Sequence, residues 1–221
     1  MNKQTERTLG VLFLIAMFSS LIGGGIIEAI IGAPDFLTGV VDNQNTLQLG
    51  IILEFINALA VLGIPILFFP LLNGFDQRIA VGYLTFRAIE SIVCIIPAMK
   101  VLALIPLGES AVKATAEQMT NLQMLGSSLI AERTNMAELL VPLFFSLSAF
   151  LLYYYLYQTR LIPRFISVWG FLGASSILLM NILGIGMPWG MVMALPIILN
   201  EIFLGFWLIT KGLKKTIISH K

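Results

Sequence analysis

The feature that most constrains this chain is a succession of six apolar stretches, each about as long as a lipid bilayer is thick. They run from about 9 to 31, 47 to 72, 79 to 105, 136 to 157, 165 to 183 and 191 to 210. A helix rises about 1.5 Å per residue, so roughly 20 apolar residues cross a hydrocarbon core of about 30 Å. Inside lipid the backbone must satisfy its own hydrogen bonds, which leaves helices as the form these stretches can take. The composition agrees: 58% of the 221 residues are hydrophobic and 11% charged, where soluble domains run near one-quarter charged. The expectation is an all-α integral membrane bundle of six transmembrane helices, forming a single domain over 1–221.

The connections are uneven. Residues 32–46 (Gly32, Pro34, Asp35, Gly39, Asp42, Asn43) read as loop, and 73–78 as a short turn. Residues 106–135 are the least hydrophobic part of the chain. Their pattern of Val112, Met119, Leu122, Leu125 and Leu129 predicts a short amphipathic helix in the long outer loop. Tyr153-Tyr-Tyr-Leu-Tyr157 reads as an aromatic cluster at headgroup level. A signal peptide competes for the first stretch, but its length and the lack of an Ala-x-Ala-like site favour a retained helix. Pro65, Pro97 and Pro196 read as helix kinks, and the Gly23–Gly25 triplet as close helix packing.

An even number of spans puts both termini on one side. Lys3, Arg7, Arg78, Arg160, Arg164, Lys211, Lys214, Lys215 and Lys221 fall on that side, against Lys100, Lys113 and Arg133 on the other. The positive-inside rule then predicts a plasma-membrane protein with cytoplasmic termini.

Several functions are closed off by what is missing. A net charge of +1 gives no reason to expect nucleic acid as a partner. The single cysteine, Cys94, cannot form a disulfide within the chain, and with His220 as the only histidine no His/Cys zinc site can be built. Cys94 reads as a packing residue, His220 as a solvated tail residue. No sequence pattern calls for a cofactor or a resident metal, and Gly184-x-Gly186-x-x-x-Gly190 lacks the spacing of a dinucleotide turn.

The informative residues are the polar ones inside the spans, because ionisable groups in lipid are costly and usually functional. Arg87 and Glu90 lie about 12 and 16 Å into the third span, counted at helical rise. Asn200 and Glu201 lie near the middle of the sixth. Asn57 lies about 15 Å into the second span, with Glu54 one turn nearer the outer surface. These six residues therefore share a level or nearly so. Tyr83, Arg87, Glu90 and Cys94 follow one another at helical spacing on one face. One arginine faces three glutamates, so the surplus acids need a proton or water. Glu28, Lys100, Arg133, Glu138 and Asn181 form a shallower outer tier.

Three blocks of residues carry a resemblance. They are Gly10-Val-Leu-Phe-Leu-Ile-Ala with Arg87-Ala-Ile-Glu90, the segment Tyr155-Leu-Tyr-Gln-Thr-Arg-Leu-Ile-Pro-Arg-Phe-Ile-Ser-Val-Trp-Gly170, and Leu195-Pro, Asn200-Glu201 and Trp207-Leu-Ile with Lys211-Gly212. Together they resemble the family DUF4386 over nearly the whole chain. The resemblance implies a multi-pass bacterial membrane protein and carries no activity with it.

Three functional readings stay open at this stage. Arg87, Glu90, Glu201, Asn200, Glu54 and Asn57 can line a pocket for a small ligand or lipid headgroup, or for a transported solute or proton. Six spans are few for a transporter, although a homodimer would suit. Alternatively the surplus carboxylates serve an intramembrane lipid-modifying enzyme as acid and base, with or without a hard divalent cation. The third reading is an accessory protein in which the buried ion pair only fixes which helix faces meet; an enzyme is the less favoured reading.

Overall fold

The structure is a computed structural model that describes residues 1–186 and 189–214. Lys215, Lys221 and His220, together with Pro188, lie outside the described residues. Eight helices occur in order, and among the described residues there is no strand: α1 (Lys3–Ile31), α2 (Phe36–Asp42), α3 (Gln44–Asn73), α4 (Gln77–Leu102), α5 (Leu104–Ala111), α6 (Ala116–Thr159), α7 (Arg164–Leu183) and α8 (Trp189–Thr210). Six segments are long and apolar enough to cross a membrane: α1, α3, α4 with α5, α6, α7 and α8. Their outer faces remain apolar: Leu59, Leu172 and Ile182 are each 64–70% exposed. A contiguous surface of that kind is paired with lipid, not water.

The long helices form a ring. Each packs against its neighbours in the chain (α1 on α3, α3 on α4, α4 on α6, α6 on α7, α7 on α8), and α8 closes the ring on α1. Successive helices run in opposite directions, so the N-terminus, the α3–α4 and α6–α7 turns and the end of α8 gather at one end, here the terminal end. There the Lys214 amide donates to the Leu161 carbonyl at 2.8 Å. The ring closes tightly because two glycines meet across it. A Cβ on Gly10 would stand 2.5 Å from the Gly205 carbonyl oxygen. Backbones that approach this closely need glycine.

Packing differs between the two ends, and this difference positions the site. At the terminal end all six long helices share one core, including Leu9 and Phe13, Phe68, Tyr83, Leu152 and Tyr153, Ile166, and Leu204. At the distal end a second core joins Ile27, Leu37, Val40, Leu47, Ile51, Val101 and Leu104. It draws on α1 to α6 and on nothing from α7 or α8. Between Gly126 and Ser146, α6 has no buried residue. The distal half of the ring is therefore splayed.

Two expectations for the connections need correction. Residues 32–46 contain the helix α2, whose Phe36, Leu37 and Val40 are buried under the distal core. Residues 106–135 are helical as expected, but divided between the end of α5 and the start of α6. Most of them form the first half of α6, a 44-residue helix about 66 Å long. Thr115 and Gln118 form a reciprocal capping box at its start, and no proline interrupts it before Pro142. Met119, Leu122 and Leu129 pack on the distal core while Leu125 stays 57% exposed.

The tyrosine cluster is also corrected. Tyr153 and Tyr155 are buried, at 1% and 2% exposure, and only Tyr154 and Tyr157 face outward. The Gly23 part of the triplet packs against Gly50 and Leu53 as expected, whereas Gly25 faces open space.

One proline kink is repaired by a neighbour. Pro142 has no amide to donate to the Glu138 carbonyl. Asn181 of α7 supplies the donor instead, reaching the Glu138 and Leu139 carbonyls at 2.9 and 2.8 Å. Ser176 of α7 also donates to a carbonyl near a proline, that of Met193 in α8 at 2.9 Å, one turn before Pro196. These bonds tie α7 to its neighbours in the splayed half.

Candidate functional site

A single side of α4 carries Tyr83, Arg87, Glu90, Ser91, Cys94, Pro97 and Ala98, all buried. The helical spacing of these residues turns them together towards the ring interior. Arg87 Nη1 donates to both Glu90 oxygens, at 3.1 and 3.3 Å, and Nη2 donates to Glu201 Oε1 at 3.3 Å. The second bond crosses from α4 to α8, two helices that are not neighbours in the ring. Arg87, Glu90 and Glu201 are 2%, 3% and 8% exposed. The guanidinium also lies 5.2 Å from the Phe145 ring and 5.9 Å from Tyr83, within cation–π range. Its Nε and the Tyr83 hydroxyl are buried without a hydrogen-bond partner among the described residues.

Above this triad the splayed half holds a partly open cavity of about 980 Å³. Its deep end is formed by Ile64, Phe145, Arg87, Ile197 and Glu201, and its lining continues past Asn57, Glu90, Cys94 and Glu54 to Arg133, Glu138 and the exposed turn at Gly184–Gly186. Most of the wall is apolar, from side chains such as Val61, Val141, Ile177, Met191 and Ile198. Polar side chains are the minority, running from Arg87 and Glu201 at the deep end to Arg133 and Glu138; a mostly apolar wall with placed polar groups is the usual arrangement of a small-molecule site.

Five of the six residues singled out from sequence line this cavity: Glu54, Asn57, Arg87, Glu90 and Glu201. Asn200 does not. It faces the other way, accepting from the Tyr153 hydroxyl at 2.7 Å and donating to the Ile166 carbonyl at 2.9 Å. It thereby locks α8 to α6 and α7 behind the site. Gly170 makes room for this lock, since a Cβ there would strike the Tyr153 ring. The outer tier is partnered except for the Glu138 carboxylate, which has no partner among the described residues. Arg133 donates to Glu28 at 3.1 Å and Lys100 to Glu132 at 2.5 Å.

Sequence reasoning missed Tyr153, Phe145 and Glu132. Tyr153 could have been found from the helical spacing of the buried face of α6. Phe145 had no signal, since an apolar ring among apolar residues looks like packing. Glu132 could have been paired with Lys100 had the helix been continued upstream.

The triad alone can act as a strut. Chemically, the cavity offers carboxylates, two guanidinium groups, the amides of Asn57, Asn135 and Asn181, the Ser20 hydroxyl and a thiol, with Cys94 buried at its wall. No group of three or more His, Cys, Asp or Glu side chains has the geometry to hold a metal ion among the described residues. The family model described as "Domain of unknown function (DUF4386)" matches residues 8–212. No curated protein and no solved structure matches the chain.

Proposed function

We propose that this chain, a member of the DUF4386 family, binds a small amphiphilic ligand within the bilayer, from the plasma membrane of a bacterium and with both termini in the cytoplasm. The observation that carries the binding reading is the cavity of about 980 Å³, with apolar walls and a polar deep end. Its size is that of a site for a drug-sized molecule or a short lipid. The strut reading accounts for Arg87, Glu90 and Glu201 but leaves Glu54, Asn57 and the cavity volume without a role. A structure that needed only a pin would close over it, as the terminal half of the same ring does.

The orientation is supported by charge. Lys3, Arg7, Arg78, Arg160, Arg164, Lys211 and Lys214 belong to the terminal end, against Lys100, Lys113 and Arg133 distally. The cavity then extends away from the cytoplasm. A C-terminal fusion to a fluorescent protein that matures only in the cytoplasm should glow, and a dark fusion would reverse the orientation.

Binding is tested by thermal unfolding of the full chain in nanodiscs against a panel of uncharged, cationic and anionic amphiphiles with 8–12 carbon chains. At least one class should raise the midpoint in wild type and not in Ala194→Trp, which fills the cavity without removing a charge. No shift from any member of the panel would refute the reading.

A further inference from the structure

The charge inside the cavity is unbalanced in one direction. Arg87 and Arg133 line it, against Glu54, Glu90, Glu138 and Glu201. Both arginines are already bonded to acids, Arg87 to Glu90 and Glu201, Arg133 to Glu28. An incoming anion would have to displace a carboxylate to reach either. Glu54 and Glu138, by contrast, form no ion pair among the described residues, and of the two Glu54 stands nearer the triad. Its carboxylate has been given space, for it lies beside Gly24 of α1, where a Cβ would stand 3.3 Å from Glu54 Oε1. The amide of Asn57 follows one turn along α3.

We propose that the ligand is a lipophilic organic cation whose positive nitrogen or equivalent pairs with Glu54, while its apolar groups fill the cavity wall. This rests on the amphiphile-binding reading and adds the sign of the charge and the residue that meets it. A charge in a low-dielectric site is stabilised chiefly by an opposite charge close by. Glu54 supplies one that bonds no protein cation directly, the nearby Arg133 being bonded to Glu28. A hard divalent cation is a poorer match, since it requires several oxygen ligands converging at short range, and no such convergence of acids is present among the described residues.

Two probes of nearly equal size and opposite charge separate the possibilities: tetraphenylphosphonium and tetraphenylborate, with triphenylphosphine oxide as the uncharged member. Binding of each to the full chain in nanodiscs is measured by equilibrium dialysis, with empty nanodiscs subtracted. Tetraphenylphosphonium should bind more tightly than tetraphenylborate, and Glu54→Gln should weaken it about tenfold or more while leaving triphenylphosphine oxide unchanged. Gly24→Leu, which crowds the same carboxylate, should act in the same direction. The ratio of cation to neutral affinity within each variant is the readout, so a loss of overall stability does not mimic the effect. Equal binding of the two ions, or preference for the borate, overturns the cation assignment and leaves the amphiphile reading standing. Cation preference that survives Glu54→Gln also overturns the proposal. No binding of any of the three overturns the amphiphile reading and this proposal together.

Discussion

Replacing Arg87 with methionine keeps an unbranched apolar stem, although a shorter one, and deletes the charge. The guanidinium makes three hydrogen bonds to two carboxylates, at 3.1, 3.3 and 3.3 Å. It also rests against Phe145 and Tyr83. Glu90 and Glu201 would be left buried with no cation between them. Removing one partner of a buried ion pair costs about 3–5 kcal/mol. For a chain of this size that corresponds to a fall in Tm of about 6–20 °C at roughly 2–4 °C per kcal/mol. Glu201→Gln is milder, because the amide oxygen still accepts from Nη2 and Glu90 still neutralises Arg87; about 1–2 kcal/mol is expected. The double variant decides the matter. With Arg87 gone, Glu201→Gln removes an uncompensated charge, so Arg87→Met/Glu201→Gln should be more stable than Arg87→Met alone by about 1 kcal/mol or more. The measurement is unfolding in mixed micelles titrated with a denaturing detergent, followed by circular dichroism. Purely additive costs, or an Arg87→Met variant within about 1 kcal/mol of wild type, would refute the picture of a coupled triad across the ring.

Further consequences can be checked separately. Gly10→Val drives a side chain into the Gly205 backbone and should cost about 1–3 kcal/mol, read as a lower Tm; an unchanged Tm would mean that α1 and α8 are not in contact there. Tyr153→Phe leaves Asn200 without its 2.7 Å donor and should cost about 1–3 kcal/mol, whereas adding Asn200→Leu should recover part of the loss. Asn181→Ala exposes the Glu138 and Leu139 carbonyls and should speed amide exchange around Pro142; combining it with Pro142→Ala, which restores the helical donor, should remove most of that effect. Cys94, the sole cysteine, lines the cavity. A small thiol reagent should label it slowly in wild type and more slowly still in Ala194→Trp; equal rates would show that the reagent arrives by another route.

The parts of this structure that could be read from sequence are those in which a residue contradicts its surroundings. Arg87, Glu90 and Glu201 stand out against apolar neighbours, and counting helical rise from each end of the span brings them to one level. The meeting of Arg87 with Glu201 follows from that arithmetic plus the face shared by Tyr83, Arg87, Glu90 and Cys94. Residues that agree with their surroundings were harder. Tyr153 sits in a run of tyrosines, and hydropathy could not tell that it turns inward to Asn200 while Tyr154 turns outward. The long α6 was cut short for a similar reason. Glu117, Glu132, Arg133 and Glu138 lower the hydropathy, yet Glu, Gln, Ala, Leu and Met are strong helix formers, so the helix continues where the apolar run does not. The polar lining of the cavity was legible in Glu54, Asn57, Arg87, Glu90 and Glu201, but its volume and apolar wall were not. The volume arises because the distal core recruits α1 to α6 and omits α7 and α8, a matter of shape and not of residue type.

The separation in sequence between the two ends of the Arg87 bridge has a bearing on how the protein is made. Glu201 lies 114 residues after Arg87. At a synthesis rate of roughly 5–20 residues per second, α4 enters the membrane about 6–23 s before α8 has been translated. Throughout that interval Arg87 has to be tolerated in lipid without its partner from across the ring. Glu90, three residues on and bonded to the same guanidinium, travels with it in the same helix. The segment thus carries its own counter-ion into the bilayer, and the last helix to arrive finds a neutral pair already waiting.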